Sequence, residues 1–189
     1  MTKINDSILH IHRLKPTPVI EMLPLNQIDA ADVEALLDAA FGADRRARTA
    51  YKLRHGTREI AALSFAAVEG GKLVGSLQSW PVALDTPSGA RAPLTLVGPV
   101  AVDPTRQRSG IGRMLMTHML AIADASDADA LMMIGDPEYY GRFFGFTAGA
   151  TGGWSLPGPV ERHRLLARIR RAGGVTGEGK VGPDIGRMG

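Results

Sequence analysis

The residues best placed to do chemistry lie between positions 94 and 112, Leu-Thr-Leu-Val-Gly-Pro-Val-Ala-Val-Asp-Pro-Thr-Arg-Gln-Arg-Ser-Gly-Ile-Gly. The first half is apolar and rich in β-branched residues, which suits a buried strand. Asp103-Pro104 stops it, because the residue before a proline avoids helical angles and proline has no N–H for a ladder. Arg106-Gln107-Arg108 then forms a basic loop, and Ser109-Gly110-Ile111-Gly112 opens an amphipathic helix. The first N–H groups of a helix lack internal partners, and the helix dipole favours negative charge there. Glycines let a bulky anion reach that backbone. The arrangement predicts a site for a phosphorylated ligand. It is not a nucleoside-triphosphate loop, since no Lys-Ser or Lys-Thr follows a glycine. Nor is it a dinucleotide fingerprint, since position 115 is leucine. Covalent catalysis has no support: cysteine is absent and no serine sits in a Gly-x-Ser-x-Gly elbow. His118 has no second ligand four residues away, so no metal role is assigned.

A third pattern, Gln-x-x-Gly-x-Gly, is met by Gln107, Gly110 and Gly112. A second motif follows at residues 135–146, Gly-Asp-Pro-Glu-Tyr-Tyr-Gly-Arg-Phe-Phe-Gly-Phe. Together they resemble the GCN5-related N-acetyltransferase (GNAT) superfamily, and the second motif looks like that of its YhbS-like acetyltransferases. The resemblance covers roughly residues 18–158. It implies acetyl-CoA as co-substrate and no metal. The pyrophosphate would meet the backbone of Gln107, Arg108, Ser109, Gly110, Ile111 and Gly112, with Arg106, Arg108 and Arg113 adding charge. The edge of Val100, Ala101 and Val102 would pair with the pantetheine amides. A tyrosine would act as acid toward the leaving thiolate. Family spacing puts that tyrosine four residues before the glycine; Tyr140 lies five before Gly145, so Tyr140 is the match and Tyr139 the alternative. For the base that deprotonates the amine, Glu59, Glu69, Asp136 and Glu138 are candidates, and water is another. The implied acceptor is an amine on a small molecule or peptide.

The chain must supply the frame for this site. Its 189 residues suit one domain, with 44% hydrophobic and 22% charged residues, ordinary for a globular protein. No apolar run approaches the ~18–20 residues that span a bilayer, and no apolar segment marks a signal peptide. Absent cysteine suits a reducing, cytoplasmic setting. The net charge of +3 suits an anionic cofactor as well as a nucleic acid. Low aromatic content, 5%, disfavours a base-stacking platform.

We read residues 1–17 as a tail, 18–172 as a GNAT-like α/β (α+β) domain and 173–189 as a mobile glycine-rich tail. The domain should hold a central, mixed but mostly antiparallel sheet flanked by helices, with one parallel β-α-β crossover at the cofactor loop. A strand at 19–23 ends at Pro24. A helix capped by Asp29 buries Ile28, Val33, Leu36, Leu37, Ala40 and Phe41, and stops at Gly42. A second helix runs from Asp44 to near Gly56, with Arg45, Arg46, Arg48, Lys52 and Arg54 on a solvated face. Residues 63–68 and 73–84 form a hairpin turning at Gly70-Gly71, with Pro81 at an edge or strand end. The helix from Ser109 presents Ile111, Met114, Leu115, Met119, Ile122 and Ala123, and residues 130–134 form a buried strand. A further strand covers 146–154, and an arginine-rich helix covers 160–171. Two other classes stay open: a cofactor-binding sensor or scaffold without catalysis, and a nucleic-acid binder using its arginine clusters. A homodimer also stays open.

Overall fold

The computed structural model describes residues 19–126, 128, 130–170, 175 and 177–187, so the expected N-terminal tail lies outside the described residues. The strands are β1 (Ile20–Pro24), β2 (Phe65–Glu69), β3 (Lys72–Asp85), β4 (Arg91–Val102), β5 (Ala130–Ile134), β6 (Trp154–Ser155), β7 (Leu165–Ile169) and β8 (Gly179–Pro183). The helices are α1 (Ala30–Phe41), α2 (Thr49–Leu53), α3 (Ile111–Ala125) and α4 (Pro137–Phe144). One sheet runs β1-β2-β3-β4-β5-β7, and β8 pairs with β3 and β6. Two pairings are parallel, β4 with β5 across α3, and β6 with β8; the rest are antiparallel.

The two-residue period of the strands sorts the core into layers. On β2, Ala67 faces the α3 side with Ile111, Leu115 and Met119, whereas Ala66 and Val68 face α1 with Val33, Leu36 and Leu37. On β5, Leu131 and Met133 face α3 while Ala130 and Met132 meet Trp154 and Leu165. Helix α1 is capped as expected: the Ala31 N–H donates to Asp29 Oδ1 at 2.8 Å. Within α3 the apolar stripe is shifted from the expected one. Met114 is 40% exposed, and Met116 and Leu120 are buried in its place. Pro81 lies inside β3 rather than at its end. Its carbonyl accepts from the Asp184 N–H, so the edge of β3 on which its missing N–H would fall lies between the start of β2 and the end of β8.

Four expectations are corrected. Residues 44–56 do not form one helix; a 3₁₀ segment at Ala43–Ala47 breaks before α2. Residues 146–154 are not a strand. Four glycines in 145–153 leave one bridge, Thr147 to Ala167, a 3₁₀ turn and the short β6. The arginine-rich helix over 160–171 is instead a 3₁₀ turn followed by β7. Leu165, Leu166 and Ala167 are all buried because β5 offers them an unpaired edge, and pairing there outweighs helical propensity. Finally, residues 179–183 belong to the sheet, with Val181 fully buried beside Leu84 and Trp154. One valine was enough to anchor a stretch that otherwise reads as glycine-rich tail.

Deleting residues 178–189 should therefore destabilise the protein. Losing the buried Val181 and uncovering its neighbours costs about 2 kcal/mol or more, which lowers Tm by roughly 4–8 °C in a domain of this size. A thermal melt within about 1 °C of the intact chain would show that β8 contributes nothing.

Candidate active site

The site begins where β4 and β5 stop pairing. They share two pairs, Thr95 with Leu131 and Leu96 with Met132. Just beyond, β4 carries Gly98-Pro99, a cis peptide, and Pro99 has no N–H to give a neighbour. The facing register of β3 slips between Leu77 and Ser79. The strands part, leaving a cleft of about 690 Å³ bounded by residues 96–100 and 133–136. Beyond Leu96, the β5-facing edge of β4 has no strand partner among the described residues. That edge can accept an extended ligand as a further strand. The side chain of Ala101 packs on the α1 side of the sheet, and Val100 and Val102 on the α3 side.

At the lower end of β4 the chain turns through Asp103, which caps a 3₁₀ turn, into the basic loop. Gln107, Arg108, Ser109 and Gly110 are exposed. Arg108 and Gly110 both take left-handed angles, φ 65° and 85°. Gly110 is the N-cap of α3, and no side chain caps the helix there. Its first N–H groups are thus left for a ligand. A Cβ at Gly110 would meet nothing within 4 Å, so the approach is open. Ile111 is 1% exposed and belongs to the core; only its backbone can serve the site. Arg106 is tied to Glu69 at 2.6 Å. Arg113 lies 4.8 Å from the centre of the exposed Phe143 ring.

Helix α4 starts at the end of β5, capped by Asp136. Tyr140 lines the cleft; its ring lies where a Cβ on residue 135 would be, 2.6 Å away, so only glycine fits at Gly135. Tyr139 instead packs among Tyr140, Phe143 and Phe144. Burial pushes the Tyr140 phenol up to about 12, Tyr139 and Asp136 add to the rise, and Arg164 opposes it.

The far wall comes from the α1–α2 connection and the segment before β7. Arg45 is 1% exposed. It donates to Asp38 at 2.7 Å, to Glu34 at 2.5 Å and to the Tyr51 hydroxyl. Burial works against the charge of Glu34, but Arg45 and Arg46 outweigh it and lower its pKa. Phe41, Arg48, Thr49 and Tyr51 face Val160, Glu161 and Arg164 across the opening.

A family model for the acetyltransferase (GNAT) domain matches residues 22–148. The chain belongs to the GNAT acetyltransferase family. It is 31% identical over 119 residues to the uncharacterized N-acetyltransferase YhbS of Escherichia coli K12, covering 61% of this chain and 67% of that protein. An uncharacterized N-acetyltransferase of Streptomyces griseus is 27% identical over 128 residues, but the match spans only 30% of that longer relative. A GNAT acetyltransferase from Brucella melitensis, solved with acetyl-CoA, superposes with TM-score 0.63 at 25% identity, covering 87% of this chain and 95% of the other. E. coli YhbS, solved with CoA, shares the fold at TM-score 0.68 and 24% identity, covering 94% and 98%.

Within this GNAT frame Val100 and Tyr140 line the cleft and Tyr139 does not; Ala101 and Val102 follow on β4, and residues 107–113 continue from them into α3 outside the cleft lining. The candidate bases separate. Glu69 is held by Arg106, and Glu138 is exposed on α4. Asp136 lines the cleft but accepts the Glu138 N–H at 3.0 Å. Glu59 is half-buried, with its pKa raised by burial against the pull of Arg54. Of the expected solvated basic face, Arg46, Arg48 and Lys52 are exposed, and the correction falls on the buried Arg45 and Arg54. Their signal was the aromatic company of Phe41 and Tyr51, since arginines alternating with aromatics read as stacked rather than solvated. In the segment 162–170 most arginines are tied to the fold: Arg162 donates to the Trp154 and Thr151 carbonyls, and Arg168 and Arg170 engage Asp124. Among the described residues no group could hold a metal ion, and no helix is long and apolar enough to cross a membrane.

The buried phenol gives a direct check. The chain has 3 tyrosines. By ultraviolet difference titration, one should ionise near about 12, and Tyr140→Phe should remove that step. The fold favours the neutral phenol, so stability falls as pH rises from about 10, where an unfolded tyrosine ionises, toward about 12. A last-titrating tyrosine that survives the substitution would mean Tyr140 is not the buried one.

Proposed function

We propose that the protein moves an acetyl group from acetyl-CoA directly to the amine of a small molecule or peptide. The observation that carries this reading is the unpaired edge of β4, which leads from the open glycine loop to a buried phenol. When bound, acetyl-CoA supplies the activated thioester. The first N–H groups of α3, with Arg108 and Arg113, bind its diphosphate. The backbone of Val100, Ala101 and Val102 orients the pantetheine arm and places an N–H toward the oxygen on which charge develops. The parted strands and Tyr140 exclude water from the sulfur. Tyr140 donates a hydrogen bond to that sulfur as it becomes a thiolate. With its phenol pushed up to about 12, Tyr140 stays protonated at neutral pH and is a weak acid toward the thiolate. The phenol therefore acts first by hydrogen bonding, which strengthens with the developing charge. Asp136, which lines the cleft, or water receives the amine proton. The lack of cysteine fits a reducing, cytoplasmic setting.

Substitutions in the glycine loop and at the tyrosines test separate parts. Gly110→Glu and Gly112→Glu each put a side chain and a negative charge where phosphate would lie, and either should abolish CoA binding measured by calorimetry. Unchanged affinity in both, with the fold intact by circular dichroism, rejects the site. Tyr140→Phe keeps the ring and removes the donor; CoA affinity should hold while kcat falls about 10²-fold or more. Normal turnover in Tyr140→Phe with slow turnover in Tyr139→Phe would move the role to Tyr139.

A further inference from the structure

The acceptor end of the cleft is cationic in a specific way. Several arginines of the fold are answered by carboxylates: Arg45 and Arg46 meet Glu34 and Asp38, Arg91 meets Asp85 and Asp184, and Arg168 meets Asp124; others, Arg54 and Arg162 among them, are met by ring faces, an amide or backbone carbonyls. Arg48 and Arg164 line the cleft, and neither has a carboxylate within 4 Å among the described residues. Arg48 donates to the Phe41 carbonyl at 2.8 Å and lies 5.9 Å from the centre of its ring. Arg164 donates through Nε to the Gly135 carbonyl at 3.4 Å. Each keeps guanidinium N–H groups to spare. They come from different walls, Arg48 from the α1–α2 connection and Arg164 from the turn before β7.

The two acids of the cleft do not cancel this charge. Asp136 is turned to its cap on α4, and neither it nor Glu161 lies within 4 Å of Arg48 or Arg164 among the described residues. Arg45, the third arginine of the cleft, is already neutralised by Glu34 and Asp38. Phe41, Pro99 and Val160 supply apolar surface between the charged walls. A planar guanidinium binds a carboxylate through two N–H groups. A second ammonium at the same place would face two unanswered like charges, a cost that grows as water leaves the cleft.

We propose that the acceptor is an amine that also bears a carboxylate, with the carboxylate held by Arg48 and Arg164 and an apolar body against Phe41, Pro99 and Val160. An amino acid with an apolar side chain has this chemistry; a polyamine or aminoglycoside does not. The proposal rests on the acetyltransfer reading for its amine, but the carboxylate site can be tested without turnover.

The probes are N-acetylphenylalanine and N-acetylphenylalaninamide, which differ in the carboxylate alone. They are titrated calorimetrically into the protein with and without CoA. The acid should bind at least about tenfold more tightly than the amide, as expected for hydrogen bonds to a charged group. Arg48→Gln and Arg164→Gln, both at exposed side chains, should each erase most of that preference, with CoA affinity unchanged in Arg48→Gln. In turnover, phenylalanine should be acetylated in preference to phenylalaninamide and spermidine. Equal affinity for the two probes, binding of neither, or preferred turnover of spermidine overturns the proposal and leaves acetyl transfer standing. If wild-type protein binds no CoA, the acetyltransfer reading fails instead, and a preference for the acid in CoA-free protein still supports the carboxylate site.

Discussion

The structure depends on a failure of pairing. A parallel strand pair in a sheet normally continues until one strand ends, because every unpaired backbone group costs free energy when buried. Here the β4–β5 ladder stops after two pairs although β4 runs on to Val102 and β5 to Ile134. Gly98-Pro99 accounts for it: Pro99 cannot donate, and Gly98 at φ 120° turns the backbone away from an extended path. The unpaired edge needs another source of hydrogen bonds, and the fold leaves it facing a cleft rather than burying it. A ligand with amide groups is the natural partner for such an edge. The glycine loop and α4 then fall at its two ends because they are the continuations of β4 and β5.

The opposite wall is held by charge rather than by packing. Burying a guanidinium as fully as that of Arg45 is expensive unless its donors are met. Glu34, Asp38 and the Tyr51 hydroxyl meet them. Glu34 remains 48% exposed at its side chain, so one side of the pair keeps its water and the desolvation cost is shared unequally. The network fixes Tyr51, and through it Arg54, whose guanidinium stacks 3.5 Å from the centre of that ring and 4.8 Å from the centre of the Trp80 ring. Burial first, and Arg45 next, lower Arg54 to about 10. It still carries its proton at neutral pH, so the wall keeps its positive character.

Much of this was legible before any coordinates. The crossover β4-α3-β5, its loop and the hairpin at Gly70-Gly71 follow from period, caps and turn residues, which act locally. The elements that misled are those whose state is decided at a distance. Leu165-Leu166-Ala167 lacks strand alternation because β7 is buried on both faces, and only the free edge of β5 makes it a strand. Val181 sits in a stretch too poor in apolar residues to suggest structure, yet β3 had an open edge beyond β2 for it to fill. The basic segment 45–54 read as solvated because sequence shows charge but not whether a carboxylate from the preceding helix will meet it. The cofactor path is contiguous in sequence, whereas the acceptor wall is assembled from two segments far apart in the chain, the α1–α2 connection and the residues before β7.

The doubled phenylalanine before Gly145 shows how an extra residue can be absorbed without moving a site. The position of Tyr140 is set from the start of α4, since its N–H donates to the Asp136 carbonyl at 2.9 Å and Asp136 caps the helix at the end of β5. Nothing after Tyr140 in the chain is needed to aim it. The added length is taken up at the other end, where Phe144 enters the core and Phe143 is turned outward, 41% exposed. Phe143 is then not left bare: Arg113 from α3 and Arg142 lie 4.8 Å and 5.4 Å from the centre of its ring. A cation–π contact at an exposed site is worth about 0.5–1 kcal/mol, enough to offset part of the cost of an exposed aromatic ring. Counting back from Gly145 therefore misjudges the tyrosine, while counting forward from Asp136 finds it, because the helix is anchored at its N-terminus.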